Sequence, residues 1–166
     1  MKVEDPNALR FILQDELYLL NEDKSLYNTI TKPQPLIETP RPNFNYLGSN
    51  KKNFLILVNY AGHEFIPDDH LTALESILGR KGHSREDVAI LNIAKNTDEF
   101  ESITAHFEPK TLLILGQESI PSGMQQPQFN IPEKHEHADV LFTFSFDAMM
   151  TNMENKKSFW EQMKTL

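Results

Sequence analysis

FLILVN, at residues 54–59, is an unbroken apolar run, and the fold follows from it. Three similar runs come later in the chain: VAILNI at 88–93, LLIL at 112–115 and VLFTF at 140–144. Continuous rather than alternating apolar residues are typical of strands that are buried on both faces of a parallel sheet. Because helical patterns separate these runs, the sequence predicts an α/β fold. We expect a three-layer α/β/α sandwich with a four-stranded, mostly parallel sheet.

Three helices are predicted around this sheet from apolar residues that recur at three- and four-residue spacing. The first ends near Gly79 and Gly82, the second extends through His106, and the third contains Trp160. Each is preceded by residues that commonly cap helices. These predicted caps are Asp68 or Asp69, Thr97, and Asp147 or Asn152.

The first 52 residues differ from the rest in pattern. Residues 6–20 predict an amphipathic helix whose apolar face comprises Leu9, Ile12, Leu13, Leu17 and Leu20. Four prolines between residues 33 and 42 then forbid both a helix and a central strand, so 21–52 is interpreted as an extended connector. The helix either packs on its own domain or forms a partner-binding arm. We therefore divide the chain into an N-terminal segment, 1–52, and an α/β core, 53–166.

The composition limits the classes of function. The chain has 166 residues, a net charge of −8 and no cysteine, and the whole net charge lies in residues 53–166. Without cysteine there is no thiolate nucleophile, disulfide or Cys-ligated metal cluster. An acidic core disfavours binding to duplex DNA, which depends on neutralising phosphates. Because no apolar run is long enough to span a membrane, we expect a soluble, cytoplasmic protein.

Motifs for cofactor binding are missing from the sequence. It contains neither the Gly-rich nucleotide-binding patterns nor the G-x-S-x-G motif of serine hydrolases, so no cofactor is predicted. Two histidine clusters raise the question of a metal: His63 with Asp69 and His70, and His135 with His137. Aspartates are also favoured in the first turn of a helix, which explains the first cluster without a metal. The sequence therefore predicts no metal site.

A basic and aromatic cluster occurs near the C-terminus, where Lys156 and Lys157 precede Trp160. These residues form either a small binding patch or, as we prefer, a helix that Trp160 seals against the sheet while the lysines are solvated.

The same C-terminal stretch, residues 142–160, resembles the uracil-DNA-glycosylase-like superfamily. In the active enzymes of that superfamily a strand ends in His-Pro-Ser, and two aliphatic residues, Asn-Pro, a Lys and a Trp follow. Met149-Met150, Asn152, Lys156 and Trp160 stand at that spacing here. The strand ending in Gly116 is also similar, and the resemblance covers about residues 54–166.

This chain departs from the enzyme pattern at the side chains that carry out catalysis in the enzymes. Ser145-Phe146-Asp147 stands where the enzymes have His-Pro-Ser, so the histidine that stabilises the departing uracil is missing. Asn59 is the only residue of the first strand's loop that matches a water-activating role. If the chain were an active enzyme, the resemblance would make Asn59, Ser145 and Asp147 its catalytic residues.

One branch of this superfamily is non-catalytic, the psi subunit of bacterial DNA polymerase III, and the present chain resembles it in size and organisation. The resemblance implies a protein-binding module, without enzymatic activity, that links the clamp loader to a chi-like subunit and thereby to single-strand-binding protein. In that interpretation the N-terminal helix contacts the clamp loader. The alternatives are a degenerate base-excision enzyme and, less favoured, a metal-dependent hydrolase.

Overall fold

The computed structural model describes residues 43–97, 99–135 and 137–166. The predicted N-terminal helix, with Leu9, Ile12, Leu13, Leu17 and Leu20, lies outside these residues. The six strands are β1 (Tyr46–Gly48), β2 (Phe54–Val58), β3 (Val88–Asn92), β4 (Thr111–Leu115), β5 (Glu133–His135) and β6 (Ala138–Thr143). The four α-helices are α1 (Asp68–Arg80), α2 (Phe100–Phe107), α3 (Phe146–Thr151) and α4 (Met153–Met163).

All six strands form one sheet in the order β1-β3-β2-β4-β6-β5. The four predicted strands make its centre and are parallel, with Phe54 of β2 opposite both Val88 and Thr111. Every residue of β2 and β3 is buried, as the continuous apolar runs predicted. The mixed α/β fold is therefore confirmed.

The predicted strand number of four is wrong, because a short antiparallel strand is added at each edge. β1 pairs with β3, placing Tyr46 opposite Leu91, and β5 pairs with β6, placing Lys134 opposite Asp139. Each added strand has three residues, too few to show the period-two alternation by which strands are recognised. From the sequence alone these residues are expected to be connector and loop.

Helices cover both faces of the sheet. On β2, side chains alternate between the faces: Phe54, Ile56 and Val58 point to one side and Leu55 and Leu57 to the other. The first side packs against α1, α3 and α4 through six buried residues: Leu74, Leu78, Phe146, Met149, Phe159 and Met163. The second side packs against α2 through Ile103 and Phe107. Burying each of these large apolar side chains contributes roughly 1.5–3 kcal/mol.

Residues before 53 also belong to this core. The compact unit that contains the described residues begins at Pro40. Phe44 is buried against α2, with its ring 5.3 Å from that of Phe107, and Tyr46 contacts the same ring at 4.9 Å. The connector therefore packs on the core through both aromatic residues.

The helix ends depart from the predicted caps in two of three cases. α1 follows Pro67, and Asp68 and Asp69 lie in its first turn without capping it. α2 begins after Glu99 rather than Thr97. The C-terminal end has two helices instead of one. Ser145 caps α3, and Asn152 caps α4, as predicted. None of the described helices is both long enough and apolar enough to cross a bilayer.

Candidate functional site

The site that α/β folds commonly use lies at the carboxyl ends of the parallel strands. Here Asn59 follows β2, and Ser145 and Asp147 lie beyond the end of β6. The structure brings all three side chains to the wall of one cavity, which Glu118 also lines. This cavity measures about 50 Å³. Small-molecule sites usually measure roughly 300–1,000 Å³, so this one has room for only a few water molecules.

Asn59 is tied to the main chain of a neighbouring loop. Its Nδ2 donates a hydrogen bond to the carbonyl oxygen of Glu118 over 2.6 Å. Glu118 lies in the short 3₁₀ turn Gln117–Ser119 that follows β4, and Ser119 Oγ donates to the carbonyl of Leu115 at 2.7 Å. The amide of Asn59 thus holds two strand ends together.

Ser145 is engaged in capping a helix. Its Oγ accepts a hydrogen bond from the main-chain N–H of Ala148 at 3.3 Å, at the start of α3. Gly116 lies directly against it, since a Cβ added to this glycine would be 3.0 Å from Ser145 Cβ. The serine hydroxyl is therefore placed to stabilise the turn from β6 into α3.

Asp147 lies in the first turn of α3 with 76% of its side chain exposed. A carboxylate is favoured there by the helix dipole. Its Oδ1 is 4.0 Å from Nε2 of His70, which is too long for a hydrogen bond. The His70 ring stacks on Phe146 with centroids 5.5 Å apart.

Tyr60 completes this group, and the sequence analysis missed it. Its hydroxyl lies 2.8 Å from His70 Nδ1. Burial, and to a lesser degree the negative charge of Asp147, raises the pKa of Tyr60 well above its ordinary value. The phenol therefore stays protonated at neutral pH and serves as a hydrogen-bonding group between the loop after β2 and helix α1. Tyr60 and His70 are ten residues apart across a loop, and such a pair produces no periodic pattern in the sequence.

Asn92 is a second residue that the analysis did not single out for a role. It is 1% exposed at the end of β3. Its Nδ2 donates to the carbonyls of Tyr60 and His63 at 3.0 and 2.8 Å, and its Oδ1 accepts from the N–H of Tyr60 at 2.9 Å. This amide fixes the loop that carries Asn59.

The two histidine clusters are not assembled into metal sites by the described residues. Within 43–97, 99–135 and 137–166, no group of three His, Asp or Glu side chains is arranged to hold an ion. Nδ1 of His70 lies 2.8 Å from the hydroxyl of Tyr60. His135 packs on Phe100 with ring centroids 5.8 Å apart, and Glu136 lies outside the described residues.

An open cleft lies beside the small cavity, between the ends of β4 and β6. Its volume is about 430 Å³, and Phe129, Phe142 and Phe144 contribute aromatic walls. The polar lining includes Gln117, Glu118, Gln126 and Ser145, and no described Lys, Arg or His lies in it. The cleft is large enough for a planar ligand, yet the described residues give it no positive charge to attract a nucleic-acid backbone.

Comparison with protein-family models and with curated proteins finds no match to this chain.

Proposed function

We propose that the chain is a non-enzymatic protein-binding module similar to the psi subunit of DNA polymerase III. The observation that carries this proposal is that two of the three candidate catalytic side chains are already engaged, in a cavity too small for a base. Asn59 is bonded to a main-chain carbonyl, Ser145 caps a helix, and both share a cavity of about 50 Å³ with Asp147. Base excision needs room for an extruded base and free polar groups to stabilise the leaving anion.

The charges at this edge of the sheet support the same proposal. Glu118 and Asp147 line the small cavity, and among the residues that the structure describes no basic side chain lines either this cavity or the neighbouring cleft. An enzyme that extrudes a base must hold the flanking phosphates, and Lys or Arg side chains near the site are the groups that neutralise their charge. Duplex DNA is therefore not among the partners that we propose.

The proposed partners are proteins, namely the clamp loader and a chi-like subunit. The resemblance assigns the clamp-loader contact to the N-terminal residues, where Leu9, Ile12, Leu13, Leu17 and Leu20 repeat at helical spacing. Helical anchors at this spacing are a common mode of docking into an apolar groove.

The test is a binding titration of the full chain against a reconstituted clamp loader. We expect saturable binding that is abolished by L13E/L17E and retained by Q14E/N21E, which adds the same charge outside the predicted apolar stripe. The full chain is required because Phe44 and β1 are part of the core, so removing residues 1–52 would disrupt the fold. Absence of binding by the unaltered chain, or equal binding by both variants, would contradict the proposal.

A second candidate function, the degenerate base-excision enzyme, is favoured by the aromatic cleft next to Ser145. Aromatic walls are what a flipped base stacks on. In this alternative Asn59 orients the attacking water, and Ser145 or Asp147 replaces the missing histidine. Incubation with uracil-containing single-stranded DNA tests it: abasic sites that disappear with Asn59→Ala would favour the enzyme over the binding module.

A further inference from the structure

Helix α4 presents a mixed apolar and basic stripe away from the strand ends. Met153, Lys157, Trp160 and Lys164 follow one another at three- and four-residue spacing, which places them along one side of the helix. Met153 is 80% exposed, the most exposed large apolar side chain in the described part of the chain. An exposed apolar side chain next to a half-buried tryptophan commonly marks a contact surface.

This stripe forms one wall of a groove, and helix α1 forms the other. The groove has a volume of about 230 Å³. Ile77, Phe159 and Trp160 provide its apolar floor, and the basic side chains at its rim are Arg80, Lys156 and Lys157. Trp160 packs partly buried against the core on this face of the sheet, while part of its ring remains available in the groove.

The groove is positively charged on a protein of net charge −8. Two further cation contacts concentrate charge around the tryptophan: Arg80 Cζ is 5.8 Å from the centroid of the Trp160 ring, and Lys164 Nζ is 5.6 Å from it. Within the described part of the chain, all salt bridges are formed by other basic residues. Among the described residues, none of the four cations at the groove is paired with a carboxylate, so their charge favours an acidic partner.

We propose that this groove docks an acidic peptide segment of a protein partner. A bulky apolar side chain of the peptide enters between Ile77 and Trp160, and flanking carboxylates pair with Lys156, Lys157 and Arg80. Charge complementarity selects the acidic partner, while the apolar anchor supplies most of the affinity. The inference goes beyond the proposed function, because it concerns α1 and α4 rather than the N-terminal residues.

Single-stranded nucleic acid is the competing occupant of a basic and aromatic surface. Such binding needs a continuous basic track and aromatic faces that are free to stack on successive bases. Here the stripe has a single aromatic residue, and Arg80 and Lys164 already lie near its ring. The geometry therefore favours the peptide.

The test uses fluorescence, because Trp160 is the only tryptophan of the chain. The full protein is titrated with a synthetic peptide in which Asp and Glu flank a Leu–Phe pair, and with a matched peptide in which Asn and Gln replace the acids. We expect the acidic peptide to change the emission saturably, with an affinity that weakens as salt is added. The neutral peptide should bind at least about tenfold more weakly.

Charge-reversal variants locate the binding. K156E/K157E should weaken the acidic peptide at least about tenfold, whereas K95E/K110E, with the same change of net charge at exposed positions elsewhere, should change it less than about threefold. Circular dichroism confirms that both variants fold. The proposal would be overturned if neither peptide bound, if the two peptides bound equally, or if both variants lost the same affinity. It would also be overturned if oligothymidylate bound more tightly than the acidic peptide. A clamp-loader titration that fails while the peptide binds would overturn only the proposed function.

Discussion

The hydroxyl of Tyr60 lies 2.8 Å from Nδ1 of His70 and joins the loop after β2 to helix α1. His70 in turn stacks on Phe146, the first residue of α3. Three elements that meet at the carboxyl edge of the sheet are therefore held together by one polar contact and one aromatic contact. Burial raises the pKa of Tyr60, so the phenol in this contact keeps its proton.

Tyr60→Phe should destabilise the protein by about 1 kcal/mol at pH 7, because it removes the hydrogen bond to His70. The effect should depend on pH. The folded-state pKa lies above the ordinary value of 10.0, so the unfolded state loses the phenolic proton first and stability falls as pH rises above 10. Urea unfolding at several pH values measures both effects. The phenylalanine variant should show the smaller decline, and identical declines would contradict this account.

Asn92→Ala should be among the most damaging single substitutions outside the apolar core. The buried amide satisfies the main-chain groups of Tyr60 and His63, and its loss leaves several of them unpaired in the interior. We expect a loss of about 3 kcal/mol in the free energy of unfolding.

Asn59→Ala is the matched control, because it removes one hydrogen bond from a half-exposed asparagine and should cost about 1 kcal/mol. Chemical denaturation of both variants provides the comparison. Equal losses would mean that the burial of Asn92 does not matter.

Gly48→Ala should destabilise the edge of the sheet by more than about 2 kcal/mol. Gly48 has a φ of +98°, and a Cβ there would lie 2.1 Å from the carbonyl oxygen of Val88. Gly79→Ala provides the opposite case, since Gly79 lies in helix α1 with nothing within 4 Å of an added Cβ. That variant should gain about 1 kcal/mol, and thermal unfolding would show the two shifts in opposite directions.

The central strands could be predicted because a strand that is buried on both faces has apolar residues at every position. FLILV at Phe54–Val58 needs no partner to be recognised. The edge strands could not be predicted, since a segment such as Tyr46–Gly48 becomes a strand only by pairing with β3. The starts of α1 and α2 could not be predicted either, because no side chain caps these helices at Pro67 and Glu99.

The candidate site was predictable only as a location. The resemblance pointed to Asn59, Ser145 and Asp147 as candidates, and the structure brings them to one cavity. The hydrogen bond that engages Asn59 depends on where the turn Gln117–Ser119 lies after folding. A main-chain carbonyl acceptor such as that of Glu118 has no signature in the sequence, and neither does the pairing of Tyr60 with His70.

Asn152 offers a test of the one helix cap that both sequence and structure identify. Its Oδ1 accepts a hydrogen bond from the N–H of Glu154 at 2.8 Å, at the start of α4. Asn152→Ala removes this acceptor and should cost about 1 kcal/mol, whereas Asn152→Asp keeps it, adds a charge that the helix dipole favours, and should remain near the parent stability. The denaturant midpoints of the two variants measure this difference in stability. If the aspartate variant were as unstable as the alanine variant, the role of Asn152 would be something other than capping α4.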